Sequence, residues 1–393
     1  MKRLVIAASL LLSGIASNSQ AAITFIAGSN VTPERLAGLQ AAANELQGLL
    51  DIQQNIKVSV SFSALSCSQF GAVLGYAGPY TAYANFSGAP QTNTWYVSAQ
   101  VANEGISYAV DDAVHITAEF NHNLGNTGCL DGITWYYGAD HNPAWNQVDF
   151  VSTAVHEFMH GLGFLSFIGS DGNLNSGLID NYSTFLYDNS TGKSWKNMTA
   201  GERAASILNN NNLVWSGAKT TSMVSLLQAG TTASRARMYA PATYQSGSST
   251  SHFDVSLLYD NGDNEVMEPI ADFPEDSALA IVAFCDMGWP ILQDTDGDTI
   301  NDCDDSDPLV AAVIDTDGDG VPDSSDAFPS NPLEWLDTDG DGIGNNADHD
   351  DDGDGAPDIV DTQPLNPAVD TEINLPLNSN YDGAMLKEAA GIR

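Results

Sequence analysis

The 393-residue sequence predicts an α+β domain followed by an irregular domain of Asp-rich repeats. Segments with the period-2 alternation of strands come first, and helical segments lie on both sides of a central apolar helix, the order expected of an α+β domain. Asp then recurs every two or three positions over residues 294–361, where Lys and Arg are absent. Such a block either stays disordered through self-repulsion or folds around cations.

The elements of the first domain follow from local periodicity. A helix is expected over residues 32–50, where Pro33 stands early and leucines recur at helical spacing. Residues 56–62 alternate apolar and polar, as a strand with one buried face does. The capping box that begins at Thr199 predicts another helix start, and Gly288 followed by Pro290 predicts where the last helix stops. The remaining predicted elements are strands at 95–101, 113–120 and 133–137, and helices at 148–162, 199–208 and 277–287.

The first 21 residues read as a signal peptide, because a charged start (Met1-Lys2-Arg3) precedes an apolar run and a small-residue cleavage site near Ala21. The run is too short to span a membrane, and no other apolar stretch is long enough. We therefore expect a secreted protein, extracellular or periplasmic, without a membrane span. The net charge of −39 excludes nucleic-acid binding, which requires clustered Lys and Arg.

The four cysteines would lie in a compartment where disulfides persist. Four cysteines allow three pairings. We favour Cys67–Cys129 and Cys285–Cys303, because each bridge then stays inside one region of the sequence.

The most specific motif is HEFMHGLGF, residues 156–164. His156 and His160 lie four residues apart and thus on one face of a helix, so both imidazoles can reach one metal ion. Glu157 would project toward the open side of that ion, where a carboxylate can take a proton from water. The surrounding helix is apolar nearly all round, as a core helix is, and Gly161 or Gly163 could end it.

The Asp-rich block contains four units in register, each with carboxylates at positions 1, 3, 5 and 12. Hard oxygen ligands alternating with small residues, and a Gly that lets the loop wrap an ion, are typical of calcium sites. Several structural Ca²⁺ ions would stand in for the missing apolar core. The predicted ligands are Asp294, Asp296, Asp298 and Asp305; Asp315, Asp317, Asp319 and Asp326; Asp337, Asp339, Asp341 and Asp348; Asp350, Asp352, Asp354 and Asp361.

A catalytic zinc needs a third protein ligand. Ser166 occupies the position at which a compact extension of the motif would place a third His. His252 is preferred, because Met267 follows it on a segment that could turn beneath a metal ion. Asp180 is the alternative third ligand, since some zinc peptidases use an acidic residue that returns from a second helix or loop.

These residues resemble the leishmanolysin-like branch of the metzincins, in which a long insertion separates HExxHxxGF from a distant His and a Met-turn. The motifs that carry the resemblance are HEFMHGLGF, SHFD at residues 251–254 and VMEP at residues 266–269. With the repeats behind them, the chain is also similar to exported bacterial metalloproteases that carry thrombospondin type 3 calcium repeats. The resemblance implies that His156, His160 and His252 bind one Zn²⁺, that Glu157 is the general base, and that Met267 forms the turn.

The expected organisation is therefore a signal peptide (1–21), a metzincin-like zinc peptidase domain (22–290), calcium-binding repeats (291–365) and a C-terminal tail (366–393). The expected function is secreted zinc-dependent endopeptidase, acting on protein or peptide substrates. The Asp-rich block is expected to be an accessory to catalysis that attaches to surfaces or matrix. The alternative is a non-catalytic, calcium-dependent surface or matrix-binding protein with a degenerate HExxH domain.

Overall fold

The computed structural model describes residues 22–270, 275–298, 300–309 and 315–367. The predicted signal peptide and all but the first two residues of the predicted C-terminal tail lie outside these ranges. The chain divides into two compact units, one ending at Val310 and one beginning at Ala311. The predicted domain limits at residues 290 and 365 stay predictions, because a division by packing does not define a functional domain.

The first unit is a mixed α+β structure with one principal sheet and several two- and three-stranded sheets. Its described α-helices are α1 Pro33–Leu49, α2 Ser98–Asn103, α3 Ser107–Val110, α4 Phe150–Leu162, α5 Ala200–Ser206, α6 Ala218–Met223 and α7 Ala278–Asp286, and short 3-10 helices lie at Tyr182–Phe185, Trp195–Asn197 and Val224–Leu226. Its described strands are β1 Ile23–Ala27, β2 Ile56–Ser63, β3 Cys67–Ser68, β4 Gly71–Ala72, β5 Gly75–Pro79, β6 Ala82–Ala84, β7 Thr94–Val97, β8 Ile116–Asn121, β9 Thr134–Tyr136, β10 Gln147–Asp149, β11 Ile179–Asp180, β12 Leu186–Asp188, β13 Lys193–Ser194, β14 Leu213–Trp215, β15 Leu227–Ala229, β16 Thr231–Thr232, β17 Arg235–Ala236, β18 Leu258–Tyr259, β19 Asn264–Glu265 and β20 Glu275–Asp276.

The principal sheet has the strand order β1-β2-β8-β5. Strands β1, β2 and β8 run parallel, and β5 pairs with β8 in the antiparallel direction. The predicted alternation of β2 is confirmed, since every second residue from Ile56 to Phe62 is buried. Strand β5 therefore forms one edge of the sheet, and it runs against its neighbour.

Helix α4 is anchored to this sheet by aromatic rings. The ring of Phe150 lies 5.6 Å from Phe62 on β2 and 4.9 Å from Phe120 on β8, measured between centroids. Phe158, two turns later, lies 6.3 Å from Phe120. Aromatic pairs at such distances add to the free energy of burial, so the helix that carries the HExxH motif is held rigidly on the sheet.

The predicted helix at 148–162 is confirmed, and it begins at Phe150 because Asp149 caps it. The Asp149 carboxylate accepts hydrogen bonds from the N–H groups of Val151 (2.8 Å) and Ser152 (3.3 Å). Gly163, with φ of 120°, ends the helix. Gly161 instead lies inside the helix, where a Cβ would sit 2.3 Å from a methyl of Ile116. Gly161 thus allows α4 to approach β8 closely and does not end the helix.

Replacing Gly161 by Ala is expected to destabilise the protein by about 1–3 kcal/mol, because the added methyl overpacks against Ile116. Gly48, on helix α1, is the matched control, since a Cβ there would meet no atom within 4 Å. Gly48→Ala should leave stability unchanged or raise it by up to about 1 kcal/mol. Urea unfolding measures both values. Equal effects of the two substitutions would contradict the close approach of α4 and β8.

The predicted strand at 95–101 is partly wrong. Strand β7 ends at Val97, and residues 98–103 form helix α2. All six residues of α2 are buried although Ser98, Gln100 and Asn103 are polar, and polar and apolar residues alternate over 98–101 as they do in a strand, so the helical period is not visible. The predicted helices at 32–50, 199–208 and 277–287 and the strands at 113–120 and 133–137 are confirmed, with ends shifted by a few residues. The predicted capping box of Thr199 and Glu202 is also present.

Both predicted disulfides are confirmed, since Cys67 pairs with Cys129 and Cys285 pairs with Cys303. Such bonds fit the expectation of an extracellular protein. Within the described ranges, no helix combines the length and the apolar content that a membrane crossing needs.

The described part of the second unit, residues 315–367, consists of turns and bends without helices or strands. Side-chain oxygens of Asp close each loop. Asp315 accepts hydrogen bonds from the N–H groups of Gly318 (2.8 Å) and Gly320 (2.9 Å), and Asp337 repeats this pattern with Gly340 and Gly342. The irregular Asp-rich architecture agrees with the prediction.

Candidate metal centre

Three histidines converge in the first unit. Helix α4 carries His156 and His160, and His252 arrives from a segment 92 residues after His160. The Nε2 atom of His252 lies 3.2 Å from Nε2 of His156 and 3.1 Å from Nε2 of His160. The structure therefore brings together the three histidines that the sequence predicts as zinc ligands.

Each of the three imidazoles has its other nitrogen on a backbone carbonyl. Nδ1 of His156 lies 2.6 Å from the oxygen of Val266, Nδ1 of His160 lies 2.7 Å from that of Phe164, and Nδ1 of His252 lies 2.8 Å from that of Ser248. A carbonyl oxygen only accepts, so each Nδ1 carries the proton. In a neutral imidazole the Nε2 atom then holds a lone pair, and the three lone pairs face one another.

Burial favours the neutral form of these rings. Burial lowers the pKa of His156, lowers that of His160 to about 3, and holds that of His252 well below its usual value. Neutral imidazoles with fixed tautomers are the form in which histidine binds metals. The Nε2 lone pair of His252 lies within 3.2 Å of both other Nε2 atoms, and these lone pairs repel each other unless a cation lies among them, so the donor set fits a zinc ion.

Glu157 lies beside this centre, on the same helix, and is 7% exposed. Burial raises the pKa of its carboxyl to about 8, against the lowering effect of a hydrogen bond from the backbone N–H of Ala77. Ala77 belongs to the edge strand β5. The glutamate of the motif therefore connects the helix of the histidines to the edge of the principal sheet.

The segment around Met267 connects the distant histidine to the helix. The N–H of Phe253, next to His252, donates to the oxygen of Met267 at 2.9 Å. The neighbouring Val266 supplies the carbonyl that holds His156. Met267 itself is fully buried. One backbone segment thus bonds to the ring of the first histidine and to the residue that follows the third.

Asp180, the alternative third ligand, lies outside the histidine group. It is buried, and its carboxylate accepts hydrogen bonds from the N–H groups of Phe167 (3.0 Å) and Ser183 (2.7 Å). Burial raises its pKa to about 6. The N–H of Ser166 donates to Oγ of Ser251 at 3.0 Å, beside His252. The position expected for a compact third His thus contacts the segment that brings the distant one.

Each Asp-rich unit brings together three of its four predicted ligands, and the Asp at position 12 is not in that group. In each unit the Asp residues at positions 1, 3 and 5 have oxygens within 4.8 Å of one another. Partial burial and the charges of neighbouring Asp residues, position 12 among them, raise the pKa of Asp296 and Asp317. Several buried oxygens have no hydrogen-bond partner in the described structure, namely those of Asp296, Asp305, Asp317, Asp319, Asp326, Asp350, Asp351, Asp352, Asp354 and Asp361. This chemistry fits calcium, which takes six to eight oxygen ligands.

Position 9 of each unit has a different task. Asp302 accepts the N–H of Thr295 at 2.8 Å, and Asp323 accepts that of Thr316 at 2.7 Å. Asn345 and Asp358 accept the corresponding N–H groups at 3.0 Å. These side chains close the loop, which explains why Asn can replace Asp there.

Sequence reasoning missed the backbone groups of the site. The carbonyls of Phe164, Ser248 and Val266 orient the histidines, and the N–H of Ala77 orients Glu157. Every residue has such groups, so no residue type marks them. Only the fold shows which carbonyl faces which ring.

Comparisons with family models, curated proteins and solved structures give no significant match to this chain.

Proposed function

We propose that this chain is a secreted zinc-dependent endopeptidase of the metzincin type, similar to the leishmanolysin-like branch, stabilised by calcium-binding repeats of the thrombospondin type 3 kind. The observation that carries the proposal is the convergence of three neutral histidines. Nε2 of His252 lies 3.2 Å from Nε2 of His156 and 3.1 Å from Nε2 of His160, and each Nδ1 donates to a backbone carbonyl.

His156, His160 and His252 would hold the zinc ion. Three protein ligands leave a fourth position open, as catalytic zinc sites do and structural sites do not. When bound, zinc lowers the pKa of water to about 7 and polarises a carbonyl. Met267 would form the apolar floor beneath the site, since it is fully buried and its backbone contacts Phe253.

Glu157 is the proposed general base. The positive charge of a bound zinc ion would favour the ionised form of this buried carboxyl, and the carboxylate would then take a proton from the attacking water and return the proton to the leaving amine. The N–H of Ala77 holds this carboxylate in position on the side of the sheet edge. Among the side chains near the metal centre, we assign proton transfer to Glu157 alone.

Strand β5 supports a peptide as the substrate. The N–H of Asn121 donates to the oxygen of Leu74, and the N–H of Tyr80 donates to the oxygen of His115, both at 2.8 Å. Alternate residues from 74 to 80 therefore bond to β8, and Gly75 and Ala77 direct their backbone groups to the other edge. No strand pairs with that edge in the described part of the chain. An extended peptide could pair there, next to Glu157, with the groups of this edge other than the N–H of Ala77, which donates to Glu157.

The proposal is tested by metal analysis together with an activity assay on the purified full chain. We expect one zinc ion per chain, several calcium ions, and cleavage of casein that stops when a chelator removes zinc. Several calcium ions without stoichiometric zinc or cleavage would favour the non-catalytic surface or matrix-binding protein instead.

A further inference from the structure

We infer that the first Asp-rich repeat, residues 294–305, binds calcium and thereby stabilises helices α6 and α7 of the compact unit that carries the three histidines. The inference rests on the proposed calcium binding of that repeat. It replaces the expectation that the whole Asp-rich block is an accessory, because it separates one repeat from the other three.

The first Asp-rich repeat, residues 294–305, has the features of a cation site. The carboxylates of Asp294, Asp296 and Asp298 offer oxygens within 4.8 Å of one another. Asp305 is 6% exposed, and its Oδ2 has no hydrogen-bond partner among the described residues. The charge of Asp305 acts on Asp296, whose own buried Oδ2 also has no partner. A buried carboxylate oxygen without a donor is costly unless a cation compensates it.

Three links join this repeat to helices of the first compact unit. Cys303 forms the disulfide with Cys285 on α7. Nζ of Lys219 on α6 donates to the backbone oxygen of Asp305 at 3.0 Å. The side-chain amide of Gln293 donates to Asp302 at 2.7 Å and to the oxygen of Ala278, the first residue of α7, at 3.5 Å. The cation-binding loop is therefore attached to both helices.

Helices α6 and α7 are in turn joined through Asp286. Its carboxylate accepts the N–H of Lys219 at 2.9 Å and that of Thr220 at 3.1 Å, at the start of α6. On α7, the ring of Phe284 lies 6.2 Å from Phe164, whose carbonyl holds the proposed ligand His160. Ordering of residues 294–305 by calcium would therefore hold elements that contact the metal centre.

The other three Asp-rich repeats provide a control for the effect of calcium on α6 and α7. Residues 315–326, 337–348 and 350–361 repeat the same carboxylate spacing but belong to the second compact unit. Calcium bound by these three repeats should stabilise the second compact unit. The same substitution should therefore affect α6 and α7 when it is made in the first Asp-rich repeat and leave them unchanged when it is made in the third.

The experiment is amide hydrogen exchange on the full chain, with calcium and with EGTA, for wild type and two variants. The double substitution Asp296→Asn with Asp298→Asn affects the first repeat, and Asp339→Asn with Asp341→Asn affects the third. At calcium 100-fold above its dissociation constant, exchange in α6 and α7 should slow by about 100-fold if opening of these helices releases the ion. We expect this slowing in wild type and in the third-repeat variant, and its absence in the first-repeat variant.

A third variant covers the case that the first-repeat substitutions prevent folding. Lys219→Met removes the link to Asp305 and leaves every carboxylate in place. Exchange in α6 should then become faster in the presence of calcium, while calorimetric calcium binding is retained. The inference is overturned if wild-type α6 and α7 exchange equally with calcium and with EGTA although calorimetry shows calcium binding. A chain that binds no calcium at all overturns both the inference and the proposed calcium sites, whereas loss of peptidase activity alone concerns the zinc proposal.

Discussion

Replacement of Glu157 by Gln is expected to lower peptidase activity by about 10²–10⁴-fold and to leave zinc binding unchanged. An amide cannot accept the proton of the attacking water, so the general-base contribution is lost. The side-chain oxygen of Gln can still accept the N–H of Ala77, which now bonds to Glu157. The loss would therefore report proton transfer and leave the geometry intact. Casein cleavage and zinc content measure the two quantities.

Glu104→Gln is the matched control, because the same chemical change is made at an exposed position after α2. It should retain wild-type activity. If Glu157→Gln also cleaves casein at the wild-type rate, Glu157 is not the base and the proposed mechanism is wrong. If it loses zinc as well as activity, the carboxylate has a structural task at the metal centre.

Replacement of His252 by Ala is expected to abolish both zinc binding and activity. The Nε2 atom of His252 is the one within 3.2 Å of both other imidazoles, so its removal leaves two ligands on one helix. The loss of zinc affinity should exceed the roughly 10–100-fold that removal of an outer hydrogen-bond partner costs. Zinc titration of the apoprotein measures it, with circular dichroism to verify the fold.

Asp180→Asn provides the comparison, because it removes the charge of the alternative ligand. The N–H groups of Phe167 and Ser183 bond to different oxygens of Asp180, so the amide keeps an acceptor for only one of them, and circular dichroism must verify the fold. This variant should retain zinc. The opposite pair of results, with zinc lost from Asp180→Asn and kept by His252→Ala, would transfer the third-ligand role to Asp180.

Much of the site could be predicted because its chemistry is carried by rare residue types at informative spacing. His156 and His160 share a helix face whatever the fold, and the four Asp-rich repeats can be recognised by their regular spacing. His252 could be selected because Met267 follows it, although nothing local showed that the two segments meet. The meeting depends on a hydrogen bond between Phe253 and Met267 that only the folded chain reveals.

The parts that could not be predicted are those in which side-chain identity carries little information. Strand β5 has the sequence GYAGP, without alternation or β-branched residues, and yet it forms the edge beside Glu157. Residues 98–101 of helix α2 were predicted as part of a strand because polar and apolar residues alternate there. The attachment of residues 294–305 to α7 also depends on long-range contacts, for which the regular spacing of Asp gives no sign.

The acceptors that orient the three imidazoles of the candidate metal centre are the backbone carbonyls of Phe164, Ser248 and Val266, so the side chains at those positions do not supply these hydrogen bonds. A scan that replaces one side chain at a time would leave all three acceptors in place and miss them. What the centre cannot tolerate is a change in the path of the main chain, such as a deletion between residues 245 and 252 or a proline that redirects a peptide plane. At both ends of the long segment between the second and third histidines, the backbone course is therefore what the histidines depend on.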